Sequence, residues 1–265
     1  MWYFWQLLKH DLREQMIKRW YYFLLILPLI FYLCIDFGNI IEGIGKNPNF
    51  MDMLIWIFYG VKEYIPSENP FEIKIEFMLI YIVPACIIAY YPIKDLSVSG
   101  RQIFIRIRNN TIWWFSKCVW LILTIVLYYL MVYACIAAVA GDVMLLPHKE
   151  VLIYMGVAEE VKSAGEYLIF LVLLPIVTTV AVSFVQMFLS VITAPAYGFF
   201  AVVLNLLLSS YFYSHWIPGN FLMFNRNILA REGGIGFEQS LAVNVVLVIV
   251  CMIAGAIYMK KKDLL

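Results

Sequence analysis

The sequence predicts an all-α polytopic membrane protein with six transmembrane helices and an N-terminal amphipathic helix in the membrane interface. Of the 265 residues, 64% are hydrophobic and 14% are charged, whereas soluble domains average about 45–50% apolar and about 25% charged residues. A hydrocarbon core of about 30 Å needs roughly 20 apolar residues in a helix, and six stretches approach or exceed that length. We therefore expect residues 1–265 to form a single transmembrane domain with no separate soluble domain.

Residues 1–19 are expected to form the interfacial helix. Trp5, Leu8 and Leu12 recur at helical spacing, while Arg13 and other basic residues lie mainly elsewhere around the helix. Such a helix lies along a membrane surface rather than crossing it. The alternative interpretation is a short basic tail in which the aromatic residues have no structural role.

The six spans are expected near residues 20–35, 77–91, 112–140, 167–193, 197–213 and 240–259. Proline disfavours the helical conformation of the residue before it, so we place the break between the fourth and fifth spans at Ala194 and Pro195. Residues 50–60 are apolar but only about half a membrane long, which predicts an interfacial or re-entrant helix instead of a further span.

The distribution of charge predicts that both termini are cytoplasmic. With the N-terminus inside, the inner segments hold 12 of the 19 lysines and arginines but only 4 of the 18 acidic residues. Positive residues concentrate on the cytoplasmic side of membrane proteins. The outer side then has an excess of acidic residues.

Residues 92–118 are the most unusual stretch, because basic and apolar side chains alternate there between two spans. Arg101, Arg106 and Arg108 are mixed with isoleucines and followed by Trp113 and Trp114. We interpret this stretch as a cytoplasmic coupling segment on which a partner can push, with the two tryptophans as anchors at the interface. The alternative is that the arginines only bind anionic lipid head groups and set the topology.

The residue types that catalysis would need are not found in a recognisable pattern. Gly45 and Lys46 lack the remainder of a phosphate-binding loop, and the three histidines are scattered. We expect no enzyme, no catalytic, metal-binding or cofactor-binding residue, and no nucleic-acid partner. The five cysteines are expected to be small buried apolar residues.

The spans hold few polar residues, and none has a charged side chain at its centre. Ion-coupled carriers usually need an ionisable group at that depth, so a proton- or sodium-driven carrier is disfavoured. Gln186, Asn205 and Asn244 are the candidates for lining a pathway. The interpretation that we favour is that they make hydrogen bonds between packed helices.

Four patches carry a resemblance to a known family. They are Tyr91-Pro-Ile-Lys-Asp95 with Ser99-Gly100-Arg101-Gln102, Arg106-Ile-Arg108 and Trp113-Trp114; Gln186-Met-Phe-Leu-Ser190 before Pro195; Pro218-Gly-Asn220 with Met223 and Arg226; and the basic C-terminus from Tyr258. In this order they resemble the permease subunits of ABC-2 type transporters, particularly the small six-span permeases of Gram-positive bacteria. The long first outer loop departs from that pattern, since many members have a shorter one.

The resemblance implies a permease in a bacterial cell membrane, without its own ATPase. Two such permeases, identical or different, pair among membrane lipids, and each docks a separate ATP-binding subunit that holds ATP and magnesium. Docking is expected through the N-terminal helix and the coupling segment, with Ser99, Gly100, Arg101, Arg106 and Arg108 at the contact. The family exports peptides, lipids, glycans or drugs, so a hydrophobic or amphipathic substrate is expected.

A function from another class also fits the charge distribution. A membrane immunity protein could bind a cationic antimicrobial peptide at the acidic outer side and transport nothing. Dependence on an ATP-binding partner distinguishes the two.

Overall fold

The structure, a computed structural model, describes residues 2–43, 45, 47–65, 73–96, 110–157 and 161–261. Across this part of the chain it is helical, with 77% helix and no strands. Among the described residues, five helices are long and apolar enough to cross a membrane. A polytopic helical membrane protein is thereby confirmed.

The helices follow the hydropathy pattern of the sequence. In chain order they are α1 (Trp2–Asp11), α2 (Tyr21–Glu42, with a turn at residues 25–26), α3 (Phe50–Phe58), α4 (Ile75–Lys94), α5 (Asn110–Ala140), α6 (Lys149–Tyr154), α7 (Ala164–Ile192), α8 (Pro195–Tyr211) and α9 (Phe237–Lys261). The fifth predicted span corresponds to α8, which has 17 residues, or about 26 Å at 1.5 Å per residue. It is shorter than the other five, and a six-span topology stays a prediction.

The centre of the fold is formed by α5 and α7. Helix α7 packs against α4, α5, α8 and α9, whereas α5 packs against α1, α2, α3 and α9. Two glycines permit close approach, because a Cβ at Gly198 would overlap Ser190 and one at Gly255 would overlap Trp114. The spans on the two sides of residues 97–109 are thus held in one bundle.

The N-terminal segment packs on the bundle. Helix α1 continues into a π-helical stretch, Leu12–Ile17, and lies along α5. Leu7 and Leu8 are buried on that side, whereas Trp5 is 64% exposed on the outside. An interfacial location is compatible with this arrangement and stays a prediction.

The predicted and observed helix boundaries differ most at the first span. The sequence predicts its end near residue 35, but the helix continues past Asp36 to Glu42, because polar side chains at a span's end do not interrupt backbone hydrogen bonding. The predicted break between spans four and five agrees with the structure. Ala194 is extended, with φ −153° and ψ 159°, and Pro195 begins α8, a position that proline favours.

Two tyrosines of α5 compensate for prolines inside neighbouring helices. Pro84 in α4 has no N–H, so it leaves the carbonyl of Ile80 without its helical donor. The Tyr128 hydroxyl donates to that carbonyl at 2.6 Å. The Tyr133 hydroxyl lies 3.1 Å from the Val172 carbonyl and 3.3 Å from the Leu171 carbonyl, so it donates to the turn that precedes the proline of α7. Backbone groups freed inside a membrane must find such partners.

Helix α3 is too short to span a membrane, as the sequence predicts. It has nine residues, and eight of them are buried, since it packs against α2 and α5. Its N-terminus is closed by a capping box in which the Asn49 side chain accepts from the Asp52 N–H and the Asp52 carboxylate accepts from the Asn49 N–H.

Three connecting segments at the α3 end of the bundle join in one layer. We call it the outer cap, after the side of the membrane on which the predicted topology places it. It comprises residues 47–65, 141–157 and 212–236. The Asp52 carboxylate lies 2.6 Å from His148 Nδ1, which joins the first segment to the second. The Asn225 N–H donates to the Tyr59 carbonyl at 3.1 Å, which joins the first to the third.

Arg226 is the most deeply buried cation of the outer cap, with an exposure of 1%. Its guanidinium donates to the Ser209, Ser210 and Phe212 carbonyls at the end of α8 and to the Asn220 side chain. Terminal carbonyls of a helix have no intrahelical donor, so this cation satisfies them. Burial lowers the pKa of Arg226 to about 10, and the group is still charged at neutral pH.

Candidate functional site: a buried charge cluster

A cluster of polar and charged side chains lies at the end of the bundle opposite the outer cap. We call it the charge cluster; its members are Asp11, Tyr91, Asp95, Trp113, Ser116 and Lys117. Asp11 ends α1, Asp95 directly follows α4, and Lys117 lies near the start of α5. The cluster therefore joins the N-terminal helix to the two spans on either side of residues 97–109.

Lys117 is at the centre of the charge cluster. Its ammonium lies 2.5 Å from Asp11 Oδ1 and 2.7 Å from Asp95 Oδ2, and the three side chains are 0–2% exposed. It also lies 4.6 Å from the centre of the Tyr91 ring, within the range of a cation–π interaction.

Neutral donors surround the two carboxylates. Tyr91 donates to Asp11 Oδ1 at 2.5 Å and Ser116 donates to Asp11 Oδ2 at 2.9 Å. The indole N–H of Trp113 donates to Asp95 Oδ2 at 2.8 Å. Buried charges are tolerated when their remaining lone pairs are satisfied in this way.

The charge cluster is a mechanical connection. The Trp113–Asp95 bond joins residues that flank 97–109, and Lys117 adds α1 through Asp11. These contacts fasten α1, α4 and α5 to one another at this end of the bundle. Moving packed helices as rigid bodies is one of the ordinary modes of conformational change.

The predicted docking residues Ser99, Gly100, Arg101, Arg106 and Arg108 lie outside the described residues. Their role in docking stays a prediction. What the structure adds is the arrangement of the chain on both sides of them.

The two predicted anchors, Trp113 and Trp114, are both fully buried. Trp113 bonds to Asp95, and the Trp114 indole donates to the Met252 carbonyl of α9 at 3.0 Å. Both rings lie on the side of α5 that faces the bundle and fix this helix to its neighbours. A role as anchors at the membrane interface stays a prediction.

The three candidate pathway residues lie in different surroundings. Gln186 is fully buried and donates to the Ala85 carbonyl of α4 at 2.7 Å. Asn244 is also fully buried and donates to Thr178 of α7 at 2.8 Å. Asn205 is half-buried and lines a cavity of about 230 Å³ near the outer cap. Two of the three thus make the interhelical bonds of the packing interpretation.

Replacing Asn244 by valine is expected to destabilise the protein by about 0.6–1.7 kcal/mol, the range for an interhelical hydrogen bond in a membrane. Equilibrium unfolding in detergent measures the loss. Adding Thr178→Val to the Asn244→Val variant should cause no further loss of stability, because both substitutions remove the same hydrogen bond. Fully additive losses would show that the two side chains do not act as a pair.

The charge cluster was not predicted as a site, although its members are visible in the sequence. Lys117 is the sole charged residue between 110 and 140, and a lone cation on a long apolar helix needs a partner. Its partners are separated from it by 106 and 22 positions in the sequence, and neither separation follows a local pattern.

No protein-family model matches this chain, and no curated protein matches it either. Its function therefore has to be argued from its own residues.

Proposed function

We propose that this chain is the membrane-spanning permease subunit of an ATP-binding-cassette exporter, with six spans and both termini in the cytoplasm of a bacterium. It pairs with a second permease copy or homologue and moves a hydrophobic or amphipathic substrate. A separate subunit hydrolyses ATP. The single observation that carries the proposal is the charge cluster, which joins the residues on both sides of 97–109 to the N-terminal helix.

A permease without an ATPase must receive force from a cytoplasmic partner and pass it to its spans. Residues 97–109 hold three arginines, and they are flanked by groups that bond to each other through the Asp95–Trp113 contact. A partner that moves this segment moves α4 and α5, and α5 contacts α7 and α9, so the movement reaches most of the bundle.

Arg106→Glu combined with Arg108→Glu is expected to abolish stimulation of an ATP-binding subunit while leaving the protein in the membrane. Reversing two positive charges removes their attraction to acidic groups on the partner and introduces repulsion. The measurement is the ATPase rate of the ATP-binding subunit that co-purifies with each variant, after reconstitution in liposomes.

The matched control is Lys260→Glu with Lys261→Glu, which makes the same charge change at the end of α9. Stimulation should persist in this control at close to the wild-type rate. Unchanged stimulation in the arginine variant, with co-purification intact, would reject docking at residues 101–108.

A second candidate function is supported by a cavity near the outer cap. The cavity has a volume of about 280 Å³, and its lining includes Asp36, Glu76, Tyr32 and Trp56 together with one cation, Lys74. Carboxylates beside aromatic rings suit a cationic amphipathic peptide. A peptide-binding immunity protein would bind such a peptide without any ATP-binding subunit, so the co-purification above separates the two functions.

A further inference from the structure

A groove opens on the side of the bundle next to the charge cluster. It lies between the N-terminal segment with the beginning of α2 on one side and the second half of α4 on the other. Its volume is about 300 Å³. The residues that matter here are Gln15, Arg19, Tyr22, Leu25, Val83 and Ile87.

One end of the groove is polar and has unused hydrogen-bonding capacity. Gln15 is 8% exposed, and its amide makes no side-chain hydrogen bond to any residue that the structure describes. Arg19 is half-buried and has no carboxylate at ion-pair distance within the same part of the chain. The neighbouring cation, Lys18, differs because it pairs with Glu14 at 2.5 Å.

The rest of the groove is apolar. Leu25 on α2 and Val83 and Ile87 on α4 form its walls, and Leu25 is 65% exposed. These walls belong to two of the helices that are long and apolar enough to span a membrane. The groove therefore combines a cationic, amide-bearing end with an alkyl-lined slot along two spans.

We propose that this groove binds one anionic phospholipid, with its phosphate on Arg19 and Gln15 and an acyl chain along Leu25, Val83 and Ile87. Charge complementarity selects the head group, since the lining holds a cation and no acidic residue. A guanidinium binds phosphate by two parallel charge-assisted hydrogen bonds, and an amide can donate a third. The apolar walls select a lipid over a free phosphate.

A bound lipid would also contact the charge cluster, because Tyr91 lines the groove and donates to Asp11. The site requires only that the protein lies in a membrane. It does not rest on the proposed transport function, so either can fail without the other.

The test compares lipid binding to the full chain in detergent, by native mass spectrometry with titrated phosphatidylglycerol or phosphatidylcholine. Both lipids offer the same phosphate to Arg19, but only phosphatidylcholine also brings a quaternary ammonium, which would lie near that cation in a lining without a carboxylate. We therefore expect phosphatidylglycerol to bind at least about tenfold more tightly, a difference of about 1.4 kcal/mol. Arg19→Gln should reduce that preference to near unity. Arg13→Gln is the matched control, because Arg13 is exposed on the same segment and does not line the groove.

A second variant tests the apolar slot without touching the charge. Val83→Trp should fill the groove and lower the affinity for both lipids by a similar factor. The melting temperature of the lipid-free protein checks that the fold is retained. Equal affinity for the two lipids in the wild type, an unchanged preference in Arg19→Gln, or full competition by glycerol phosphate would each overturn the proposal.

Discussion

Replacing Lys117 by methionine is expected to destabilise the protein by about 3–5 kcal/mol, the cost of breaking a buried ion pair by removing one partner. Methionine fills a similar volume, so the loss is electrostatic rather than a cavity. The Asp11 and Asp95 carboxylates, 0% and 4% exposed, would lie close together without a cation. Thermal and denaturant unfolding in detergent, followed by tryptophan fluorescence, measures the effect.

Two further variants separate this explanation from a general sensitivity of the N-terminal region. Lys18→Met removes an exposed ion pair with Glu14 and should cost less than about 1 kcal/mol. Adding Asp11→Asn and Asp95→Asn to Lys117→Met should restore most of the stability, because neutral groups replace the whole buried set. A triple variant no more stable than Lys117→Met alone would contradict the electrostatic account.

The same variants bear on function if the chain is a permease. The triple variant is expected to fold but to transmit movement poorly from the ATP-binding subunit to the spans, because the bonds between α1, α4 and α5 are weakened together. Stimulation of the ATP-binding subunit should then fall while the protein stays in the membrane. Full stimulation in a stable triple variant would mean that the charge cluster holds the fold and does not transmit movement.

Replacing Arg226 by methionine is expected to destabilise the outer cap by at least about 3 kcal/mol, because three buried carbonyls lose their donor at about 1–3 kcal/mol each. The affected groups are the terminal carbonyls of α8 and the side chain of Asn220. Limited proteolysis of residues 212–236 and the unfolding midpoint in detergent report the change. Arg226→Lys should recover only a part, since one ammonium cannot reproduce the planar fork of donors.

The control for Arg226 is the other arginine of the same segment. Arg231 pairs with Glu63 at 2.8 Å, and its side chain is 40% exposed. Arg231→Met should therefore cost less than about 1 kcal/mol. Equal losses of stability in Arg226→Met and Arg231→Met would contradict this explanation. They would show that removing any positive charge from the outer cap destabilises it to the same extent.

Local patterns predicted the parts of the fold that depend on local physics. Hydropathy located the long helices, and Pro195 located the break after α7. The same patterns placed the end of α2 near residue 35, whereas the helix ends at Glu42. The apolar run ends before Asp36, but the helical hydrogen bonding of the backbone continues. They also could not show that Tyr128 and Tyr133 would satisfy the carbonyls released beside two prolines.

The candidate site was less accessible to prediction. Lys117 and Asp95 were counted among the charges on the cytoplasmic side. In the structure their side chains are buried within the bundle and form an ion pair with each other. Trp113 was predicted as an anchor at the membrane interface, and its hydrogen bond to Asp95 was not foreseen. For each of these residues the side of the helix it occupies depends on which helix packs there, and a single sequence does not contain that information.

By itself, the sequence determined that this is a helical membrane protein, where its long apolar helices lie and where one of them must break, because the bilayer imposes length and polarity on each segment separately. Only the tertiary structure decided that Asp11 and Asp95 meet on Lys117, and that Arg226 closes the end of α8. Those contacts join residues far apart in the chain, and their energy arises from burial that exists only once the helices have packed.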